Sequence, residues 1–353
     1  ELVDGEIELT EALHPGVKLA LWRNVNLHLS PATSIDNSQV NSADSAALGK
    51  QVQQRTAWTF GGKLSSGRFG QTHVTGWFVS PRQWHVDGGV TDLIVDEKTW
   101  SLAPHSTWDQ LEKLPKLGAN VSFRFRVDQL PQQPILFAIE GDVRQGWMDD
   151  PRYPYPLTAV DSQFEFTSDQ FSVNNFFARS GAAEIRGSAV FRDFELRKPY
   201  QIALDLKQFP VDRRLRLLLT KKLRTSWDEL NPSGRCDGSV TFVFDGQRLT
   251  PSIHITCDDS QLEYHRLPYR LRDVSGKISY EAEHLSVDLS APLHGTTVTI
   301  NAELDRPGPQ GIGEITIRTV GHVPLDKEFI AALPEKSQRF IADLTPRGWF
   351  KVN

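Results

Sequence analysis

Ten histidines are the first residues to test for chemistry, and their spacing offers none of the patterns that a metal or a paired base requires. His14, His28, His73, His85, His105, His254, His265, His284, His294 and His322 form no HxH, HExxH or mixed Cys/His cluster, so each reads as a single surface residue. Asp149-Asp150 and Asp258-Asp259 come nearest to paired carboxylates. Adjacent residues on a strand face opposite sides, however, and cannot flank one scissile bond. No GxSxG occurs, and the glycine-rich run from Arg306 to Gly313 lacks a strand-loop-helix order, so it reads as a connection between strands. Arg213, Arg214, Arg216, Lys221, Lys222 and Arg224 would suit an anionic membrane surface. A related segment further on carries Lys327, Glu328, Glu335, Lys336 and Arg339, which is mixed, and a solvated helix face explains both copies better. The residues therefore point to no enzyme, no catalytic group, no metal and no cofactor.

The elements that would position such residues are organised as a repeat. Pro210, Asp212, Leu219, Leu230, Pro232 and Gly234 return as Pro324, Asp326, Leu333, Leu344, Pro346 and Gly348, every pair 114 positions apart (324 − 210 = 348 − 234 = 114). Ile94-Val95-Asp96 followed by Thr107-Trp108-Asp109-Gln110-Leu111 is a looser earlier copy. Asp212 and Asp326 follow extended Pro-Val and Pro-Leu, where a side-chain oxygen can cap free backbone N–H groups. Leu215, Leu218, Leu219, Leu223, Trp227 and Leu230 then form one stripe, which predicts amphipathic helices over 212–230 and 326–344, the second interrupted by Pro334. Three units follow: a divergent first β-repeat over 1–118 with a polar excursion at 31–55, and further units over 119–234 and 235–353, each ending in its helix. The excursion holds a short helix in Ser42 to Gln54.

Between the markers the chain alternates apolar and polar, as half-buried strands do. One greasy side is made by Phe123 and Phe125; Phe164 and Phe166; Phe171 and Val173; Ile185; Phe242 and Phe244; Ile278 and Tyr280; Leu285, Val287 and Leu289; and Val298 and Ile300. The fold class is mainly β: tandem repeats of antiparallel strands forming an elongated curved sheet or groove, each unit closed by an amphipathic helix. If the sheets close on themselves these residues are core; if the sheet stays open they line an apolar groove for acyl chains. VTFVF (240–244) and SIHIT (252–256) read as hairpin arms around Asp245-Gly246, which places Cys236 near Cys257, either bridged or as two buried thiols.

A net charge of −5 with both signs interspersed gives no electrostatic reason for nucleic acid as a partner. No run approaches the ~18 apolar residues of a membrane helix. The chain begins at Glu1, holds Met148 as its one methionine and stops at Phe350 to Asn353 within a strand pattern, which reads as a piece of a longer protein.

The short alternating strands, the glycine-containing returns at Ser180 to Gly187 and Leu293 to Val298, the stretch Asp273 to Tyr280 followed by Leu285 to Leu289, and Val323-Pro-Leu-Asp326 before a helix together resemble the AsmA/TamB-like family of bacterial envelope proteins. That resemblance implies repeating β-grooves like those of bridge-like lipid transfer proteins. It implies a periplasmic or cell-envelope location, anchored to a membrane through a segment absent here, with phospholipid or another acyl-chain ligand and neighbouring repeats of the same larger protein as partners. It brings no catalytic residues. The expectation is non-enzymatic lipid binding or transport along the groove; a structural or adhesion scaffold of closed sandwiches and a carbohydrate-active β-protein are the rivals.

Overall fold

The computed structural model describes residues 1–10, 18–32, 57–66, 70–100, 116–192, 198–218, 224, 227–228, 230–264, 267–293, 295–307, 311–324, 330, 338 and 349–350. It is mainly β, and seventeen strands belong to one antiparallel sheet. The described residues contain no second sheet larger than two strands, and little of them is helical.

The chain forms two compact units by contact. The first comprises Glu1–Asp149, Thr158–Asn174 and Phe191–Glu195. Its strands are β1 (Leu2–Thr10), β2 (Lys18–Ala32), β3 (Ala57–Ser66), β4 (Gly70–Ser80), β5 (Gln83–Val95), β6 (Lys116–Gln129) and most of β7 (Leu136–Asp150), each paired antiparallel with the next. The turn α1 (Glu97–Trp100) follows β5. The second unit comprises Asp150–Leu157, Asn175–Val190 and Leu196–Asn353. The strands β8 (Tyr153–Thr167), β9 (Gln170–Ser180) and β10 (Ala183–Arg192) contribute to both units. β11 (Tyr200–Val211), the turn α2 (Leu215–Leu218), β12 (Ser233–Phe244), β13 (Leu249–Tyr264), β14 (Leu267–Glu281), β15 (His284–Leu293), β16 (Thr296–Asp305) and β17 (Ile312–Thr319) belong to the second. Here too β11 to β17 pair in order, and a separate pair joins β18 (Val323–Pro324) to β19 (Trp349–Phe350).

Two pairs of strands share the 114-residue spacing found in the sequence. β8 and β14 begin and end 114 residues apart (267 − 153 = 281 − 167 = 114), and β9 and β15 begin 114 apart (284 − 170 = 114). Backbones with positive φ recur likewise: Gln132 (64°) with Gly246 (101°), Ala159 (49°) with Asp273 (52°), and Gly181 (60°) with Gly295 (83°). Positive φ is uncommon outside glycine, so a position that keeps it with Ala in one copy and Asp in the other is held there by the surrounding sheet.

The expected hairpin is present, with Val240 opposite Ile253 and Asp245 accepting the amides of Gln247 and Arg248 at 2.7 Å each. The polar excursion begins later than expected, because Pro31 and Ala32 still pair with Trp58 and Ala57 as the end of β2. Of the amphipathic helix expected over 212–230, the described residues show α2, none of it buried, and helical conformation at Arg224, Trp227, Asp228 and Leu230; Leu218 and Leu230 of the expected apolar stripe are exposed, so a buried apolar stripe is not seen. The helix in 42–54, the marker copy at 107–111 and all but Ile330 and Gln338 of the helix over 326–344 lie outside the described residues.

Two copies of the marker aspartate are described, and both cap a turn. The Arg214 amide donates to Asp212 Oδ1 at 2.8 Å and the Thr99 amide to Asp96 Oδ1 at 2.9 Å, each one residue past a strand end. Asp212 also receives both Nε (2.9 Å) and an Nη (2.6 Å) of Arg214, and the hydroxyl of fully buried Tyr155 at 3.0 Å. The Phe209 ring lies tilted against that tyrosine with ring centres 5.0 Å apart, and the Arg214 guanidinium lies 4.7 Å from the tyrosine's ring centre. The turn leaving β11 is thereby fastened to β8.

Candidate functional site

Residues directly opposite each other on antiparallel strands share a face, so the registers show what each face carries. In the first unit one row reads Leu29, Phe60, Gly76, Val86, Val127, Phe137, and the next reads Leu27, Gly62, Val74, Gly88, Phe125, Ile139. No charged residue interrupts either row. In the second unit one row reads Leu204, Val240, Ile253, Tyr280, Leu285, Leu304, and its neighbour reads Leu206, Gly238, Ile255, Ile278, Val287, Ala302, Ile315. A third holds Cys236, Cys257, Gly276, Leu289, Ile300 and Ile317. Seven strands of the second unit thus share one continuous apolar face.

Of the residues expected from sequence, Phe242, Phe244, Ile278, Tyr280, Leu285, Val287, Leu289, Val298 and Ile300 all stand on that face. In the first unit, Phe123 and Phe125 share the corresponding face, and rings follow in contact from Phe137 to Phe166 (4.9 Å), Phe166 to Phe171 (5.9 Å) and Phe171 to Phe191 (6.1 Å). Phe164 and Val173 lie two residues from Phe166 and Phe171 and share their side by alternation. Ile185 stands on β10 and is buried, as are Leu289 and Val298. The other thirteen are only half-buried. Part of each side chain reaches solvent, and Trp58 (37%), Phe78 (38%), Leu249 (46%), Ile317 (49%) and Ile315 (61%) are exposed outright. An apolar face of this extent that stays partly open to solvent is unusual for a soluble domain.

Glycines set the relief of this face. A Cβ on Gly88 would lie 2.4 Å from Cζ of Phe125, and one on Gly76 would lie 2.6 Å from Cζ of Phe60, so each ring rests over the glycine opposite it. Rings that lie down give a smooth floor where upright rings would divide it.

The reverse faces are polar. In the second unit Ser239, His254, Ser279, Ser286, Glu303 and Glu314 form one row. On it, His284 meets Asp305 (2.8 Å) and Glu303 (2.7 Å), whose hydrogen bonds raise its pKa. In the first unit His85 bonds Asp128 at 2.6 Å and also Asp87, which holds Arg126 Nε at 3.0 Å. Burial opposes charge on His85, yet the bonds and charges of Asp128 and Asp87 outweigh it, and its pKa is raised. Trp77 stacks on the imidazole at 5.9 Å. In the sequence this cluster reads as a lone strand histidine; the signal for it is His85-Val-Asp87, an i, i+2 pair on one side of a strand.

Cys236 and Cys257 are directly opposite, free and buried. Burial, then Cys257 and Asp237, push the Cys236 thiol up to about 12. A cleft of about 380 Å³ beside them holds Asp237, Asp258 and Asp259, of which Asp237 Oδ1 accepts the Gln208 amide at 2.7 Å and so fastens a β-bulge. Among the described residues no group of three or more His, Cys, Asp or Glu is placed to hold a metal ion, and no helix is long and apolar enough to cross a membrane. No family model, no curated protein and no solved structure matches the chain.

Proposed function

We propose that this chain is a non-enzymatic lipid-binding protein that holds the acyl chains of a phospholipid, or a ligand of the same chemistry, against the apolar faces of its sheet. The observation that carries the reading is the partly exposed face itself: rows of Leu, Ile, Val, Phe and Gly across seven strands in the second unit, half-buried, backed by a polar reverse face. A protein that ends its folding with such a face gains by covering it, and each acyl CH₂ taken from water contributes about 0.8 kcal/mol without any directional contact. The 114-residue recurrence of strands and positive-φ positions supports tandem β-groove units, and the two capped turns support a marker that closes each unit with a helix. In this reading the chain resembles AsmA/TamB-like envelope proteins, works in the periplasm, and moves or shelters lipid next to further repeats of a larger, membrane-anchored protein.

The test is direct. Native mass spectrometry and solvent extraction of the protein purified without detergent should find phospholipid bound in fixed proportion. Protein that carries none, and that gives no saturable binding with a fluorescent phospholipid, refutes the proposal.

A further inference from the structure

The chain has two cysteines, and the fold sets them opposite each other: Cys236 of β12 pairs with Cys257 of β13, and both thiols are free. In the related hairpin of β6 and β7 the same positions hold Ser122 and Val143 (236 − 122 = 257 − 143 = 114). Those two do not pair, since Ser122 faces Asp142 and Val121 faces Val143. Directly opposed residues on antiparallel strands hold their Cα atoms about 4.5–5.5 Å apart, inside the span of about 4.4–6.8 Å that a disulfide bridges. Their side chains also leave the same face of the sheet, so the two sulfurs rise side by side.

The surroundings favour closure of a bond between them. Cys257 has Gly276 as its neighbour on β14, so no side chain competes for its sulfur on that flank. Register shifts lie beside both residues, between Arg235 and Cys236 against β13 and between Cys257 and Ser260 against β14. A third separates Leu206 from Phe209, which pairs with Cys236. A ladder interrupted in this way has backbone slack for the small adjustment that bond formation needs. The Ser260 hydroxyl nonetheless donates to the Arg235 carbonyl at 3.2 Å and keeps the two strands in step.

We infer that Cys236 and Cys257 form a reversible cross-strand disulfide site, which closes when an organic disulfide serves as oxidant and ties β12 to β13 at the end of their hairpin away from the Asp245-Gly246 turn. One cysteine thiolate attacks the oxidant, R–S–S–R, and expels R–S⁻, which takes up the proton that the thiol released. The facing cysteine, deprotonated in turn, attacks the mixed disulfide at the protein sulfur and expels the second R–S⁻, which is protonated likewise. The pair loses two electrons and two protons, and the oxidant leaves as two R–SH. Burial raises the pKa of both thiols, so the first attack is slow, whereas the second is intramolecular and quick. The site is independent of whether lipid occupies the face.

The probe is dipyridyl disulfide, added at pH 8 to the reduced, purified chain, with released pyridinethione and intact mass as readouts. Two thiones per chain should be released, and the mass should fall by about 2 Da with no pyridyl adduct retained. Tryptic peptides containing Cys236 and Cys257 should then be found joined. Cys257→Ala leaves nothing to resolve the mixed disulfide, and should release one thione and keep one adduct on Cys236. On closure, hydrogen exchange in β12 and β13 should slow about tenfold, and dithiothreitol should restore it. A wild-type chain that ends with two adducts, that bridges to a second copy, or that reacts only after unfolding in urea overturns the inference. So does a bridge that leaves exchange in β12 and β13 unchanged.

Discussion

Replacing Val287 by lysine separates an open apolar face from a closed core. Val287 sits midway along its row, between Ile278 and Ala302, and packs against the buried cluster of Val274, Leu289 and Ala291. A fully buried valine contributes about 2 kcal/mol, and this one is half-buried, so its loss costs about 1 kcal/mol. On an open face the lysine stem lies along the neighbouring apolar surface and carries its charge to water, adding little. Under a covering layer the same charge would be buried unpaired, at about 3–5 kcal/mol. Urea denaturation followed by circular dichroism should therefore give a loss near 1 kcal/mol, while phospholipid retained through purification falls severalfold. Ser279→Lys, on the polar reverse face, is the control and should leave bound lipid unchanged. A Val287→Lys protein that loses 3 kcal/mol or more, or that keeps its full lipid complement, refutes the reasoning.

Tyr155→Phe removes the hydroxyl that donates to Asp212, a charged acceptor that keeps its Arg214 contacts, so a loss of about 1.5 kcal/mol is expected in urea; a change below 0.5 kcal/mol, well under the ~1.5 kcal/mol at the low end for such bonds, would show that the bond is idle. His85 has a raised folded pKa, so the stability that its charged form contributes is complete below the ordinary value of 6.5 and is lost as pH rises through the folded value. In Asp128→Asn the imidazole should titrate at lower pH by NMR, and an unmoved midpoint would contradict the assigned contact. Cys236 should react with iodoacetamide at pH 8 on the order of 10³-fold more slowly than in urea-unfolded protein, because burial leaves almost no thiolate; equal rates would show that the apolar row around it is open to water.

Alternation makes the strands legible, and for the second unit it gives the correct side for every expected residue that pairs across β11 to β17. Alternation alone cannot say which residue of one strand stands opposite which residue of the next. Bulges such as those between Val90 and Leu93 and between Leu206 and Phe209 each reset that pairing by one residue. Leu204, Ile255, Leu304 and Ile315 join the face by that same alternation, in stretches whose register is unbroken. Asp212 is readable as a cap, but its bond to Tyr155 is not: the two lie 57 residues apart, and only folding brings the start of β8 to the end of β11. Both residues nevertheless belong to the 114-residue recurrence, which returns them as Tyr269 and Asp326. Paired recurrence of a phenol and a carboxylate is the signal that was available.

The rings lying over Gly76 and Gly88 bear on how easily anything could travel along the first unit's face. Successive strands are spaced by about 4.8 Å. A hydrocarbon shifted by one strand leaves the apolar residues of one strand and meets those that continue the same rows on the next, so the attraction given up behind is regained ahead. With the phenyl groups laid flat, no peg must be climbed between one strand and the next. Attraction to such a surface is strong in sum yet almost level from place to place, and the hindrance to sliding is set by the small unevenness between strands and not by the total. A bulky residue at Gly88 would raise the Phe125 ring into that path and turn a level track into a stepped one.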